Sequence, residues 1–268
     1  MNEIHARLLI IDGLNLIRRI YEARRDEQDL TRRITGALKA AMGSLKRALR
    51  DHGPTHAVIA MDSAGKTWRH ELWPEYKANR TPMEPLLRSA IEDWLAGEVR
   101  NTLGLVTLQL NGFDADDLIA RVHGDWRILM GEGEAYPCVI LSTDKDVFSL
   151  VEPGTVSFHH FDNVTRDEAW VRDNLCIEPH QVQDYLALMG DASDGVPGVT
   201  KVGPKTAADL LNKYGDLDSI LAAAHSIKGV TGKRLVDEAH WARLSRDLVR
   251  FRCDQPLAYT FDMLKIRA

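Results

Sequence analysis

Three carboxylates stand within four positions in the stretch NGFDADDLIA (111–120): Asp114, Asp116 and Asp117. A helix start accounts for two of them. Asp114 fits the N-cap and Asp117 the third helical position, a capping-box arrangement with both charges complementing the helix dipole. Three like charges so close also repel and raise one another's pKa unless a cation neutralises them. Hard divalent cations such as Mg²⁺ take carboxylates of this kind. Asp12 and Asp62 close two other apolar runs, Asp144 lies just beyond a further one, and Asp146 follows it. Asp191 and Asp194 are three apart, so within a helical turn they face the same way. The strand-end acids Asp12, Asp62, Asp114 and Asp144, with Asp116, Asp117 and Asp146, read as a metal site.

The apolar runs that position them are short, rich in β-branched residues and bounded by polar or turn residues, as buried strands are. They are RLLIID (7–12), HAVIAMD (56–62), GLVTLQL (104–110) and YPCVILST (136–143). Helical patterns lie between them, at 31–49 and 114–126. Alternation of this type predicts an α/β fold, a mostly parallel sheet with helices on both faces. In such sheets ligands bind at the carboxyl ends of the strands, where the four strand-end acids would converge. After about residue 170 helical patterns take over, at 178–190, 205–215, 217–227 and 233–251. The expected division is a core over 1–170 and a helical subdomain over 171–268.

Inside that second part, GDASDGVPGVTKVGPKTAADLL (190–211) contains a tight turn between two helices. Pro204 suits the first position of a helix, and Gly203 leaves the backbone open to close approach. A helix N-terminus with free N–H groups beside Lys201 and Lys205 is a phosphate-binding device. The candidate DNA contacts here are Lys201, Val202, Gly203, Pro204, Lys205 and Thr206. A hairpin of this kind grips the sugar–phosphate backbone without reading sequence. Its carbonyls can also hold a monovalent cation.

KTWRHELWPEYKANRTPMEPLLR (66–88) follows the strand ending in Asp62 and interleaves Lys66, Arg69, Lys77, Arg80 and Arg88 with Trp68, Trp73 and Tyr76. Basic groups among stacking faces suit single-stranded or frayed nucleic acid, with Arg69 a further candidate DNA contact. A long flexible insertion there, over about 66–100, would act as a lid or gate.

The bulk numbers neither announce nor forbid nucleic acid. Net charge is −5 over 268 residues, with 44% hydrophobic and 27% charged, ordinary for a globular protein. Cys138, Cys176 and Cys253 are widely spaced and odd in number, which excludes a disulfide framework and zinc spacing. The first apolar run is broken at Asp12, unlike a signal peptide, and no segment is long enough to span a membrane. The expectation is a soluble, cytoplasmic monomer.

LIIDGLNLI, RHELWPEYKANRTPM, GFDADDLIA, LSTDKDVFSLV and GDASDGVPGVTKVGPKTA resemble, in order and spacing, the bacterial 5′-nucleases or flap endonucleases. The resemblance covers nearly the whole chain. It is similar to the 5′-exonuclease domain of DNA polymerase I and closest to the stand-alone exonuclease IX type. It implies a PIN-like 5′-nuclease core with a C-terminal helix-three-turn-helix subdomain, acting on DNA with a 5′ flap, overhang or other branch. It further implies a two-metal phosphodiesterase using Mg²⁺, for which Mn²⁺ can substitute. Asp12, Asp62, Asp114 and Asp116 would hold the first ion; Asp144, Asp146, Asp191 and Asp194 the second, with Asp117 in support. Lys77 and Arg80 would neutralise the scissile phosphate, with Tyr76 near the bases. K⁺ would lie in the hairpin on the carbonyls of Leu188, Met189, Pro197, Val199 and Val202. Where many of these nucleases carry Glu, this chain has Asp114, a shorter reach. Two rivals are weaker. A haloacid-dehalogenase phosphatase would need a second Asp where Leu14 stands. A non-catalytic branched-DNA-binding module would have to carry unneutralised acids that repel DNA.

Overall fold

Parallel strands buried on both faces must be apolar throughout, and every residue of LLIID at Leu8–Asp12 is buried. It forms β1 in the computed structural model, which describes residues 6–131 and 137–266. β2 (His56–Met61), equally buried, and β4 (Cys138–Leu141) flank it in parallel, with Leu8 opposite both His56 and Cys138. β3 (Val106–Gln109) lies outside β2, and β5 (Thr155–His159) outside β4. β6 (Val164–Arg166) pairs antiparallel with β5, completing the order β3-β2-β1-β4-β5-β6.

The four expected strands are all present; Tyr136, the first residue expected in the fourth, lies outside the described residues. β5 and β6 were not foreseen. TVSFH carries Ser and His among its apolar residues, and VTR is only three residues long, so neither presents an apolar run.

Alternate residues of the strands face two helical layers. Leu9, Ile11, Ala57 and Ile59 pack against α1 (Gly13–Glu22), α2 (Leu30–His52) and α4 (Pro85–Trp94). α3 (Trp68–Leu72) precedes α4, which runs through a π turn at Leu95–Val99 into α5 (Arg100–Leu103). On the other face Leu8, Ile10, Val58 and Ala60 meet α6 (Ala115–Met130). That core continues without a break into the helical region: α7 (Glu168–Leu175), α8 (Val182–Met189), α9 (Pro204–Tyr214), α10 (Leu217–Ala223), α11 (Gly229–Asp237), α12 (Ala239–Val249) and α13 (Phe261–Leu264). The pattern at 233–251 divides into α11 and α12 because Glu238 leaves helical geometry. Its carboxylate accepts from Thr200 N at 2.7 Å and pairs with Arg234 at 2.8 Å.

Candidate active site

Each strand-end acid owes its place to a turn that begins a helix. Asp12 ends β1 and caps α1, accepting from Asn15 N at 3.1 Å and from Ser142 Oγ at 2.9 Å. Asp62 follows β2 and accepts from Ala115 N at 2.9 Å, at the start of α6. Asp114 and Asp117 form the capping box expected of DADD. Asp144 follows β4, and its carboxylate accepts from Asp146 N at 3.2 Å.

The acids then separate into two groups. Asp12, Asp116, Asp144 and Asp146 pair with no cation, and the carboxyls of Asp116 and Asp146 accept no hydrogen bond among the described residues. Desolvation and then neighbouring Asp62 push Asp12 up to about 7. Desolvation followed by Asp144 raises both Asp116 and Asp146 well above the usual carboxylate range. Asp144 is raised by the same desolvation and by Asp194. Four neighbouring carboxyls that suppress one another's ionisation are what a hard divalent cation would relieve. As they stand, no three His, Cys, Asp or Glu side chains among the described residues close on one point as ligands. Mg²⁺ tolerates this, since it keeps several waters and takes one or two carboxylates together with phosphate oxygens.

In the second group every acid has a basic partner. Asp114 accepts from Lys77 Nζ at 2.9 Å on one oxygen, and from Arg69 Nη1 at 2.7 Å and Thr67 Oγ1 at 3.2 Å on the other. Burial raises its pKa, but Lys77 and Arg69 outweigh this and hold it below the ordinary value. The structure therefore gives Asp114 to two cations, where a metal ligand was expected. Asp191 pairs with Lys145 at 2.8 Å, and Asp194 pairs with Arg80. Lys145, between Asp144 and Asp146 in sequence, was missed. Its contact with Asp191 crosses from the sheet to the helical region, and no local pattern announces it.

Asp117 corrects the sequence reading most clearly. Its side chain is fully buried and receives Arg69 Nη1 at 2.8 Å, Arg69 Nη2 at 2.9 Å, Trp68 Nε1 at 2.9 Å and Arg252 N at 2.9 Å. It is a structural acid with no oxygen left for an ion. Arg69 is corrected with it: 2% exposed, it cannot reach DNA. Tyr76 is buried too, its hydroxyl 3.5 Å from Asp194 Oδ2, so its ring is not available to stack on a base.

The segment expected to be a flexible lid is instead folded onto the protein. Trp68 and Tyr76 are buried, while Leu87, Ile91 and Trp94 enter the α1–α2 core. Trp73 Nε1 donates to Gly195 O at 3.1 Å, and Lys77 N donates to Asp194 O at 2.8 Å. Lys77 itself adopts a left-handed backbone, φ 54°, rare for a residue with a side chain. Its ammonium is disfavoured by burial, yet Tyr76 and Asp114 hold its pKa well above the ordinary value.

The hairpin joins α8 to α9. Gly198 has φ 65°, and a Cβ there would meet Gly190 N at 2.4 Å, so the loop's own packing requires glycine. Gly203 differs: its φ is −96° and a Cβ would meet nothing within 4 Å. Nothing inside the protein requires glycine there; an outside molecule approaching the backbone would. Beside it Lys201, Pro204 and Lys205 are exposed, Thr206 is half-buried, and α9 has no side-chain cap. Val202 is buried, leaving only its backbone for a contact. Of the carbonyls expected to hold K⁺, Leu188 O accepts from Val199 N at 2.8 Å and Val199 O from Val202 N at 3.0 Å.

A parallel sheet with acids over its strand ends and a helical hairpin alongside is the fold of the 5′-exonucleases. The T5 5′-exonuclease solved with bound divalent metal ions (zinc) superposes with a TM-score of 0.74 at 21% identity, over 91% of this chain and 89% of that one. The catalytic core of Rad2 in complex with DNA substrate gives 0.57 at 13%, over 97% and 86%. The chain belongs to the 5′-3′ exonuclease family: residues 7–182 match its N-terminal resolvase-like domain and 177–268 its C-terminal SAM fold. The flap endonuclease Xni of Shewanella pealeana is 35% identical over 261 residues, 97% of each chain. DNA polymerase I of Rhizobium leguminosarum is 35% identical over 283 residues, 97% of this chain but 26% of that polymerase. Among the described residues no helix is long and apolar enough to cross a membrane.

Proposed function

We propose that this protein is a structure-specific 5′-nuclease, a 5′–3′ exonuclease and flap endonuclease that hydrolyses DNA phosphodiester bonds with two Mg²⁺ ions. One observation carries the reading: four recessed carboxyls that form no ion pair among the described residues stand beside Lys77 and Arg80, and Lys145 and Arg80 tie Asp191 and Asp194, at the start of the hairpin, to the same cluster. Asp12, Asp116, Asp144 and Asp146 would hold the ions, helped by Asp62. Bound there, divalent ions would supply water activation at neutral pH and charge stabilisation at the reacting phosphate. Lys77 spends one of its three donors on Asp114, keeping others for the scissile phosphate. Arg80 joins it by leaving Asp194 for the substrate. The hairpin holds the duplex through Gly203, Lys205 and Thr206 backbone amides with Lys201 and Lys205, and K⁺ is carried by its carbonyls. Mn²⁺ replaces Mg²⁺, and the substrate is DNA with a 5′ flap, overhang or other branch, bound by a monomer.

A 5′-flapped oligonucleotide duplex incubated with and without Mg²⁺ tests this. Release of the flap that requires Mg²⁺ and vanishes in Asp116→Asn supports it. Tight binding of the branched duplex without cleavage, in Mg²⁺ and Mn²⁺ alike, would establish a non-catalytic DNA-binding protein instead.

A further inference from the structure

Arg69 has five N–H groups and the structure occupies all five. Nη1 donates to Asp114 Oδ2 at 2.7 Å and Asp117 Oδ2 at 2.8 Å; Nη2 to Asp117 Oδ1 and Arg250 O, both at 2.9 Å. Nε donates to Leu248 O at 2.7 Å. The guanidinium thus joins three segments that sequence holds apart: α3, the start of α6 and the end of α12. Leu248 lies in the last turn of α12, where carbonyls lack intrahelical partners and the helix dipole favours a cation.

Each end of this connection reaches functional machinery. At one end Asp114 receives Arg69 on one oxygen and Lys77 Nζ on the other, so the position of the carboxylate sets that of the ammonium. At the other, α12 carries Ser245, whose Oγ accepts from Gly198 N in the hairpin loop at 2.8 Å. The hydrogen-bonded path runs hairpin loop, Ser245, α12, Arg69, Asp114, Lys77.

We infer that Arg69 is a positioning residue: through Asp114 it fixes Lys77 against the scissile phosphate, and through Leu248 O and Arg250 O it ties that geometry to the helix that supports the DNA-gripping hairpin. The inference rests on the nuclease reading. It assigns Arg69 no contact with DNA, and it makes planarity as important as charge. Lysine would keep the charge but has three donors and no fork, so it cannot hold two carboxylates and two carbonyls together.

The experiment is a double-mutant cycle of Arg69→Lys with Lys77→Ala. Single-turnover cleavage of a 5′-flapped duplex in Mg²⁺ is measured at saturating DNA, with duplex affinity and thermal melting recorded for each variant. Loss of positioning at the reacting phosphate costs on the order of 10–100-fold. Arg69→Lys alone should slow cleavage by that factor and change affinity by less than about twofold. With Lys77 already removed, the same change should cost less than about threefold. A full, multiplicative loss in the Lys77→Ala background would make Arg69 merely structural and overturn the inference. Equal losses in rate and affinity would make it a DNA contact, with the same consequence. Should Arg69→Lys not melt cooperatively, Asp117→Asn takes its corner of the cycle and must show the same dependence on Lys77. A parent chain that does not cleave overturns the functional reading and this inference together; a cleaving parent with additive losses overturns the inference alone.

Discussion

Asp116 and Asp117 are neighbours in sequence with opposite surroundings. Asp116 faces Asp12, Asp144 and Asp146, with Lys77 nearby, and forms no ion pair among the described residues; Asp117 faces Arg69, Trp68 and Arg252 and has no free oxygen. Adjacent helical positions point about 100° apart, so one turn of α6 presents one acid to the cleft and the other to the core. The same division runs through the whole cluster. Asp114, Asp191 and Asp194 are held by Lys77, Arg69, Lys145 and Arg80, while Asp12, Asp116, Asp144 and Asp146 form no ion pair among the described residues. Acids that look interchangeable in sequence thus divide into those held in ion pairs and those that the proposed function assigns to the metal ions.

The largest expected effect is on that contrast. Asp116→Asn should abolish Mg²⁺-dependent cleavage while leaving the melting temperature unchanged or higher without metal, because a repelling charge is removed. Wild-type turnover by the folded variant would refute the assignment. Asp117→Ala should act on stability first. It leaves a buried guanidinium with one carboxylate where it had two, which costs about 3–5 kcal/mol and lowers the melting temperature by on the order of 10 °C. A melt within a degree or two of the parent's would remove the distinction between the neighbours.

A smaller effect separates the groups by pH. Asp12 in the folded protein titrates near 7, above its ordinary 3.8, so the folded state binds its proton more tightly than the unfolded chain. Its contribution is present below pH about 4 and is lost as pH rises towards 7. Asp191 works oppositely. Its pKa is raised by burial but lowered overall by Lys145 and Ser193, so its contribution is present above the ordinary carboxylate value and lost on acidification. Chemical denaturation of the metal-free Asp12→Asn variant should therefore lose less stability than the parent between pH 5 and 7, and saturating Mg²⁺ should restore the parent. Identical pH profiles in the two proteins, without metal, would contradict the shift at Asp12.

The smallest effects lie in the hairpin. Replacing Lys201 and Lys205 with Ala should flatten the slope of log affinity against log salt by up to about two contacts. Gly203→Ala should weaken duplex binding without altering the melt, whereas Gly198→Ala should destabilise the protein, because only Gly198 has positive φ and an internal clash. Equal melts and equal affinities for these two variants would leave the turn as a plain corner.

Much of this was legible in the sequence, and the exceptions are instructive. The four runs ending in or near Asp gave the sheet and the acid cluster, since buried parallel strands leave little choice of residue. DADD was legible as a cap, and Asp114 and Asp117 form it; the metal reading passes to Asp116 as part of the proposed function. What sequence could not assign was which acid served which purpose. That depends on Arg69, 45 residues from Asp114, and on carbonyls 179 and 181 residues from Arg69. Basic residues interleaved with Trp and Tyr look the same whether they await nucleic acid or pack a buried network. The contacts that decide are long-range, and local periodicity does not carry them.

Counting bound Mn²⁺ by electron paramagnetic resonance, on DNA-free protein, tests the division of the acids most directly. The parent and a folded Asp117→Asn variant should bind the same number of ions, up to two. Asp116→Asn should bind fewer and more weakly, over a range where all three proteins melt cooperatively. Equal Mn²⁺ binding by the parent and Asp116→Asn, or its loss only in Asp117→Asn, would contradict the account.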